Sequence, residues 1–352
     1  GGSWLEGSGA VFAENEVLAW LAKEVGLPKT AGGTFVQGGS LGNLSALVTA
    51  RNEAILQRKK QGKKPPKRWS IIASSESHSS LKAAARVMDI DIILAEATPE
   101  GRLLGQAVLD AAKKIKDGLF AVVATAGTTN FGIVDRLDEI AKAAKELGVW
   151  YHVDGAYGLA AILDPRQKKL FKGVEKADSF IVDPHKWLFT SFDSCALVYR
   201  NPKLAAKAHT QHGEYLDTLT DSGEFNPSDY AYHLTRRARG LPLWFSVATY
   251  GVAAYRLAVA ENINLARKIA DVIRSRKDLK LVREPELSIV VFEKVGWKLA
   301  DYEKWSKRIL KEEIGFVTPS SHNGRPNARF AIVNPRTDLK LLSKIIDSMS
   351  VK

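Results

Sequence analysis

The chain has 352 residues, and its 51 lysines and arginines against 39 aspartates and glutamates give a formal net charge of +12. A hydrophobic fraction of 45% and a charged fraction of 26% are ordinary for a globular protein. They exclude a disordered chain, a collagen-like chain and a disulfide-stapled miniprotein. The length predicts two domains, or one large domain with an appendage. The single cysteine, Cys195, cannot form an internal disulfide, which favours a reducing, cytoplasmic compartment.

The positive charge does not by itself indicate a nucleic-acid partner. The basic runs are short and are not interleaved with aromatic residues, as they are in a strand-binding groove. Solvated surface lysine is the favoured explanation, and an anionic substrate or cofactor is the alternative. The sequence also shows no uninterrupted apolar run of about 18 residues, no signal peptide and no paired metal-ligand spacing. We therefore expect no nucleic-acid partner, no membrane partner and no metal.

The first two hundred residues alternate between helix-like and strand-like segments. A helical pattern runs from Glu14 to Val25, and a glycine-rich segment then leads into a helical stretch from Leu44 to Gln57. Short β-branched runs that alternate with helices are typical of a mostly parallel α/β sheet covered on both faces. The predicted strands are Ser70–Ala73, Ile90–Ala95, Phe120–Thr125, Val149–Val153, Ser179–Val182 and Ala196–Tyr199, and the predicted helices between them are Ser79–Val87, Leu104–Lys116 and Leu137–Leu147.

The chain changes character after about residue 200. The segment from His209 to Leu234 is polar without a clear period, which is typical of a functional or mobile loop. A long helix, predicted from about Leu243 to Ser275, is followed by a mixture of strands and helices. We therefore predict a large domain over residues 1–245, with a mobile catalytic loop at about 205–234, and then the long connecting helix and a small C-terminal α+β domain over residues 246–352.

One lysine stands out because of its neighbours. Lys186 follows a buried-looking strand and lies in an apolar and aromatic segment from Asp183 to Phe189. Catalytic groups of open α/β sheets collect at such strand ends. Desolvation is expected to lower the pKa of Lys186 and to let its amine form a Schiff base with an aldehyde. A solvated surface charge is the alternative, and it describes nearly all the other lysines.

Asp154 ends another apolar strand, from Val149 to Val153. A buried unpaired carboxylate is costly, so the residue needs an explanation. It could be the N-cap of a following helix. Alternatively, it could hold a pyridine nitrogen protonated, as a pyridoxal phosphate electron sink requires.

Three further segments are ambiguous when each is taken alone. The glycine-rich stretch from Gly38 to Asn43 opens a helix and predicts either a phosphate site or a simple turn. It is not the common nucleotide-binding loop, because no lysine follows its glycines. His78 is either a turn-capping residue or a ring stacked on a planar cofactor. The hydroxyls of the segment Gly127-Thr128-Thr129, which follows a strand, could reach a ligand.

Together these motifs resemble the group II pyridoxal-5′-phosphate-dependent amino acid decarboxylases, which include aromatic L-amino acid, histidine and glutamate decarboxylases. The resemblance implies the type I, aspartate-aminotransferase-like fold and covers nearly the whole chain. The His-Lys-Trp motif is its most specific element. The matching motifs are Gly39-Ser40, His78, Gly127-Thr128-Thr129, His152-Val153-Asp154-x-Ala156 and His185-Lys186-Trp187.

The resemblance implies a role for each matched residue. Lys186 carries pyridoxal 5′-phosphate (PLP) as a Schiff base, and Asp154 pairs with the pyridine nitrogen. His78 and His185 are also candidate catalytic residues. The other implied contacts are His78 and Ala156 on the two faces of the ring, His185 beside the Schiff base, and Gly39, Ser40 and Thr129 near the cofactor.

The polar segment after Tyr199 also acquires a role through this resemblance. Tyr215 matches a loop tyrosine that returns a proton to the substrate carbon after carbon dioxide leaves, whereas a surface tyrosine is the alternative. Relatives with phenylalanine at this position resemble aldehyde synthases, so Tyr215 favours plain decarboxylation. Arg236 and Arg237 resemble a basic segment that approaches the neighbouring subunit's cofactor.

The implied protein is a cytoplasmic homodimeric enzyme that decarboxylates an L-amino acid, with an aromatic substrate weakly favoured. Another type I PLP reaction, such as aldehyde formation or transamination, is an alternative. The chain begins close to the large domain, so the helical N-terminal segment of the family is expected to be missing. A shortened PLP-binding scaffold with little activity is therefore a second alternative.

Overall fold

The computed structural model describes residues 1–211, 225–322 and 324–350. These form two compact units. The first comprises Gly1–Thr128 and Ile133–Tyr255, and the second comprises Thr129–Gly132 and Arg256–Lys352. The units part within the helix Leu241–Ser275, and the boundary that the sequence predicts at 245/246 lies in the same helix.

The first unit alternates helices and strands along the chain. Its helices are α1 (Trp4–Val25), α2 (Gly39–Lys60), α3 (Ser79–Met88), α4 (Gly105–Ala112), α5 (Leu137–Leu147), α6 (Pro184–Trp187), α7 (Pro202–His209) and the first part of α8 (Leu241–Ser275). Its strands are β1 (Gly32–Val36), β2 (Ser70–Ser74), β3 (Asp91–Ala95), β4 (Leu119–Thr125), β5 (Trp150–Asp154), β6 (Ser179–Val182) and β7 (Cys195–Tyr199). Short 3₁₀ turns occupy Gly158–Leu163, Pro165–Phe171, Val174–Lys176 and Pro227–Tyr230.

The strands form a seven-stranded sheet in the order β1-β7-β6-β5-β4-β2-β3. Strand β7 runs antiparallel to both of its neighbours, and the remaining pairs are parallel. Strands β1, β6, β5, β4 and β2 therefore all end at the same edge of the sheet. The predicted α/β fold with a mostly parallel sheet is confirmed.

Burial on both faces explains the composition of the central strands. In β4, the residues from Phe120 to Thr125 are all buried. Continuous apolar runs of this kind are expected where helices cover both faces of a parallel sheet. Helix α5 is amphipathic and buries Leu137, Ile140 and Ala144 along one face. The periodicities of the sequence thus correspond to real layers.

Strand β1 is not among the predicted strands. It pairs antiparallel with β7, and a Cβ on Gly33 would lie 1.9 Å from the carbonyl oxygen of Leu197. Glycine is therefore required for the two backbones to approach here, although it weakens the sequence pattern of a strand. Helix α1 also begins at Trp4, well before the predicted start at Glu14.

The second unit continues α8 into a small α+β fold. Its elements are β8 (Leu279–Leu281), β9 (Ile289–Lys294), α9 (Leu299–Lys311), β10 (Ser320–His322), β11 (Arg325–Ala331) and α10 (Leu339–Ser348). The strands form an antiparallel sheet in the order β10-β11-β9-β8. Ile269, Phe292, Tyr302 and Ile346 lie in its buried core. The predicted small α+β fold is confirmed.

By length and composition alone, α8 is long and apolar enough to cross a membrane, a property that a search for uninterrupted apolar runs does not detect. One such helix is weak evidence of a membrane span, because core helices of soluble proteins pass the same test. Gly251, with φ 77° and ψ 157°, interrupts the helix. Its later turns bury Ile263, Ile269 and Ile273.

Candidate active site

The ends of the parallel strands bring the predicted residues to one edge of the large sheet. Strand β5 ends at Asp154, and in register Asp154 lies between Thr125 of β4 and Ile181 of β6. Strand β6 leads directly into the segment Asp183–Trp187. Strand β1 ends just before Gly38 and the first turn of α2. Residues distant in the chain thus meet where ligands bind in open α/β sheets.

The carboxylate of Asp154 is buried and held by two uncharged donors. Asn43 Nδ2 donates to Oδ2 at 2.9 Å, and the Ala156 N–H donates to Oδ1 at 3.1 Å. The 3₁₀ turn that follows is preceded by Tyr157, so Asp154 is not its N-cap. These contacts fix the direction of the carboxylate without neutralising its charge, which leaves it able to receive a cationic group.

Lys186 forms an ion pair with the carboxylate three residues before it. Its Nζ lies 2.9 Å from Asp183 Oδ2. Asp183 is only 1% exposed, whereas 41% of the Lys186 side chain is exposed. The lysine head is therefore held at one end by a buried charge and remains accessible.

The expected lowering of the Lys186 pKa is wrong. Burial is the largest single influence and does lower it, but the charge and hydrogen bond of Asp183 and the charge of Asp154 outweigh burial. The net effect is a raised pKa. The sequence pattern shows the apolar neighbours but does not reveal that two carboxylates face the amine.

His185 lies on the other side of the Asp183 carboxylate. Its Nδ1 accepts a hydrogen bond from the Ser194 N–H at 2.9 Å, and its Nε2 lies 3.5 Å from Asp183 Oδ2. Burial lowers the pKa of His185, although Asp183 opposes this effect. The ring is therefore neutral near pH 7 and carries its hydrogen on Nε2, towards Asp183.

The first turn of α2 packs against these residues. The N–H groups of Leu41 and Gly42 bond back to the Gly38 carbonyl oxygen, each at 3.1 Å. A Cβ on Gly39 would lie 3.2 Å from both Ala156 Cβ and Asp183 Oδ2. Ser40 is exposed at the start of the helix. The prediction that this segment opens a helix is met, and a helix N-terminus of this kind suits a phosphate.

His78 is the N-cap of α3 and is exposed. Its Nδ1 accepts from the Ser80 N–H at 3.2 Å and lies 2.9 Å from Ser80 Oγ. The capping interpretation therefore describes one edge of the ring. It does not conflict with stacking, which uses the ring face.

The roles of two further predicted site residues stay predictions. Thr129 belongs to the second unit, where its carbonyl oxygen accepts from Arg329. Tyr215 lies outside the described residues, and its role stays a prediction.

The expectation that the segment with Arg236 and Arg237 approaches a neighbouring subunit's cofactor stays a prediction. Arg236 is buried in a bidentate pair with Glu14, with both nitrogen–oxygen distances at 2.8 Å. Its guanidinium also donates to the Phe35 carbonyl oxygen at 3.1 Å. Arg237 is exposed and pairs with Asp193 of the same unit.

Comparison with known proteins now decides the family. The family model described as "Pyridoxal-dependent decarboxylase conserved domain" matches residues 5–295. The chain belongs to this family. The predicted PLP cofactor and the predicted PLP-dependent decarboxylation of an amino acid are thereby confirmed.

Individual relatives of this pyridoxal-dependent decarboxylase agree. An aromatic-L-amino-acid decarboxylase of Bacillus atrophaeus is 32% identical over 98% of this chain and 73% of its own length. A phenylacetaldehyde synthase of a Rosa hybrid cultivar is 30% identical over 83% of this chain and 60% of its own. A crystal structure of Oryza sativa TDC with PLP and tryptamine has a TM-score of 0.90 at 25% identity, covering 99% of this chain and 78% of that one. The chain thus spans only part of each relative.

The residues present in this decarboxylase fit PLP. Asp154 offers a buried carboxylate whose hydrogen-bond donors, in the part of the chain that the structure describes, are uncharged, which suits a protonated pyridine nitrogen. Lys186 offers an accessible amine at the next strand end. The first turn of α2 offers backbone N–H groups to a phosphate, and Gly38 leaves space there, since a Cβ on it would meet only His185 Cε1 at 3.8 Å.

The structure places four further residues in the site to which the sequence alone assigned no role. They are Asn43, Ser80, Ser179 and Asp183. Asn43 lies four residues after Gly39 on α2, so the two share a helix face. That spacing was a usable signal. Ser80 and Ser179 had none, because their contacts join strands and helices far apart in the chain.

Proposed function

We propose that this enzyme converts an aromatic L-amino acid to its amine and carbon dioxide. The observation that carries the proposal is the position of Lys186 and Asp154 at adjacent strand ends. The carboxylates of Asp154 and Asp183 are both close enough to raise the pKa of Lys186. The relative at 32% identity, an aromatic-L-amino-acid decarboxylase, supports the substrate class.

Bound PLP supplies an electron sink for the charge that remains on the substrate carbon when carbon dioxide leaves. The chain's own residues prepare this chemistry. Asp154 presents a fixed carboxylate to the pyridine nitrogen and keeps that nitrogen protonated. The first turn of α2 receives the phosphate through backbone N–H groups. The family resemblance assigns His78, at the start of α3, to one face of the ring.

Asp183 favours the protonated form of the Lys186 amine. The raised pKa of Lys186 means that its amine is protonated near pH 7 when it faces Asp183. A Schiff base requires the neutral amine, so this proton must leave Nζ first. Asp183 Oδ2, at 2.9 Å, is the nearest acceptor that the structure shows. We propose that this ion pair holds the Lys186 amine in position until its proton is lost.

Tyr215 is our candidate for the acid that returns a proton to the substrate carbon. The family resemblance supports this role. The phenylacetaldehyde synthase among the relatives makes aldehyde formation the second candidate function. The two reactions differ in their products, because an aldehyde synthase also consumes oxygen. Changing Tyr215→Phe should shift products from amine towards aldehyde and hydrogen peroxide.

The test is to incubate the chain and PLP with each common amino acid and to measure carbon dioxide, amine, aldehyde, hydrogen peroxide and keto acid. We expect equal amounts of amine and carbon dioxide from aromatic substrates. Lys186→Ala should abolish both products and the visible absorbance of the bound cofactor. Lys172→Ala, at an exposed lysine, is the matched control. Keto acid would indicate transamination, and bound PLP without any product would indicate an inactive scaffold.

We further propose that the enzyme is a homodimer. A hydrogen bond links helix α1 to the start of α8, since Trp244 Nε1 donates to Glu16 Oε2 at 2.6 Å. These helices expose the large apolar side chains of Leu5, Phe12, Phe245 and Tyr250. Sedimentation should show a dimer that the pair Phe12→Ser and Phe245→Ser dissociates. Val295→Ser, at an exposed valine of the second unit, should leave it intact.

We also propose a cytoplasmic location. The buried free thiol of Cys195 is compatible with a reducing compartment. Fractionation of cells that make the protein tests this, and recovery from a secreted fraction would contradict it.

A further inference from the structure

Asn43 is the centre of a buried hydrogen-bond network beneath the site. Its Nδ2 lies 2.9 Å from Asp154 Oδ2 and 3.0 Å from Ser80 Oγ. Its Oδ1 lies 2.9 Å from His152 Nε2. All four residues are buried. The amide thus uses both of its N–H groups and its oxygen at once.

The charge of Asp154 determines the orientation of the Asn43 amide. A carboxylate can only accept, so the atom that faces it must be the nitrogen. In the opposite orientation, Asn43 Oδ1 would face Asp154 Oδ2 at 2.9 Å, and two acceptors would repel each other inside the protein. The orientation with Nδ2 towards Asp154 is therefore the one that the site permits.

This orientation determines every other proton in the line. Because Asn43 Oδ1 only accepts, His152 must carry its hydrogen on Nε2. Its Nδ1 then accepts from the hydroxyl of Ser179, 2.8 Å away. Ser179 Oγ in turn accepts from Trp150 Nε1 at 2.8 Å. Donors thus point in one direction from Trp150 to Asp154.

A second line branches from the same amide to His78. Ser80 Oγ accepts from Asn43 Nδ2 and lies 2.9 Å from His78 Nδ1. Because that ring nitrogen accepts from the Ser80 N–H, it carries no hydrogen, and the Ser80 hydroxyl is the second donor that shares its lone pair. One amide is therefore joined to both the carboxylate and the imidazole.

The single-hydrogen state of His152 is supported by its surroundings. Complete burial lowers the pKa of His152 to about 4, against the opposing charge of Asp154. Near pH 7 the ring is neutral, so it has one N–H donor and one acceptor, as the network requires.

We propose that Asn43 is the positioning residue of this site and sets the direction of the Asp154 carboxylate and the rotation of the His78 ring. The hydrogen bonds of His152, Ser179 and Trp150 hold the Asn43 amide in its orientation. This inference rests on the proposed function, because it concerns the two groups that contact the PLP ring. Tight packing supports it. A Cβ on Gly42 would lie 2.8 Å from Ile181 Cγ2, so α2 rests directly on β6.

The first test uses the wild-type chain without cofactor. Nitrogen-15 NMR with labelled histidine should show His152 as the Nε2–H form at pH 7. The signal is assigned from its loss in His152→Gln or, if that variant does not fold, from contacts between the ring N–H and the Asn43 amide protons. An Nδ1–H or doubly protonated His152 would overturn the proposal. The result does not depend on decarboxylation, so failure of the proposed function is distinguishable.

The second test compares two identical chemical changes on one helix. Asn43→Asp keeps the shape but removes both N–H donors, whereas Asn52→Asp changes a half-buried asparagine elsewhere on α2. We expect Asn43→Asp to weaken PLP binding by about 10- to 100-fold, to shift the visible band of the holoenzyme and to lower kcat more than it raises KM. Asn52→Asp should behave as wild type.

An unchanged PLP affinity and visible band in Asn43→Asp would overturn the positioning role. If this variant does not fold, Ser80→Ala is the substitute, since it breaks only the branch to His78. We expect Ser80→Ala to shift the visible band while His152 retains the Nε2–H form. A wild-type band in Ser80→Ala would overturn the role of the branch.

Discussion

Two buried carboxylates of the first unit are held in opposite ways. Glu14 accepts two hydrogen bonds from Arg236 and one from the Gly240 N–H, at 2.8, 2.8 and 2.7 Å, so a cation of the chain neutralises it. Within the described ranges of the chain, Asp154 accepts from the uncharged donors Asn43 and Ala156. The charge of Glu14 is neutralised by Arg236, whereas the charge of Asp154 remains available to a ligand. A buried carboxylate whose hydrogen-bond donors are neutral keeps a charge that a cationic ligand group can meet.

The largest expected effect is on catalysis. Asp154→Asn keeps the size of the side chain and removes its charge, so amine formation should fall by about 10²- to 10³-fold because the developing negative charge loses its stabilisation. The free energy of unfolding should change little, since no ion pair is broken. Product assays and urea unfolding measure the two quantities. A large loss of stability with normal activity would break the comparison.

Glu14→Gln should show the reverse pattern. It leaves Arg236 buried without a counter-charge, so the free energy of unfolding should fall by about 3–5 kcal/mol. The folded fraction should keep its activity per bound PLP. Combining Glu14→Gln with Arg236→Met should recover part of the loss, because the uncompensated charge is then gone. If the double variant is as unstable as the sum of the single changes, the ion pair is not what holds this region.

The two regions should also differ in their response to acid. Burial lowers the pKa of His152 to about 4 from 6.5, so between these values the unfolded chain binds a proton that the folded chain does not. Stability is therefore lost as the pH falls from 6.5 towards 4, by on the order of 3 kcal/mol from His152 alone. Urea unfolding at several pH values should give a flatter profile for His152→Gln. An equally steep profile would place the acid sensitivity elsewhere, for example at His233, whose pKa burial also lowers to about 4.

The smallest effect should come from moving α2 without removing a polar group. Gly42→Ala introduces a Cβ 2.8 Å from Ile181 Cγ2 and 3.0 Å from Cys195 Sγ, and overpacking should cost about 1–3 kcal/mol. PLP affinity should also fall, because the shift displaces Asn43. Gly9→Ala on α1, where a Cβ meets nothing within 4 Å, should be neutral or slightly stabilising. Unchanged PLP affinity in Gly42→Ala would show that α2 need not sit tightly on β6.

The local patterns of the chain predicted most of the sheet. Apolar runs such as Phe120–Thr125 report burial directly, and the amphipathic period of Leu137–Leu147 reports a helix. Strand β1 was not predicted because glycine has a low strand propensity, and Gly33 is needed there for the close approach of its backbone to Leu197. The direction of the Lys186 pKa shift was predicted wrongly, because it depends on the positions of the Asp183 and Asp154 carboxylates in the folded chain.

By itself, the sequence determined the alternation of helices and strands and the order of the motifs at the strand ends, and it singled out Lys186 and Asp154 as candidate reactive residues. Each of these is written in neighbouring residues, because periodicity and strand-end motifs are local properties. Only the tertiary structure decided how Asp154 is held, that Asn43 joins it to His78, and that Arg236 belongs to Glu14. The contacts of Asn43 with Ser80 and Asp154 and of Arg236 with Glu14 link residues 37, 111 and 222 positions apart. Their distances in space follow from the packing of the whole sheet.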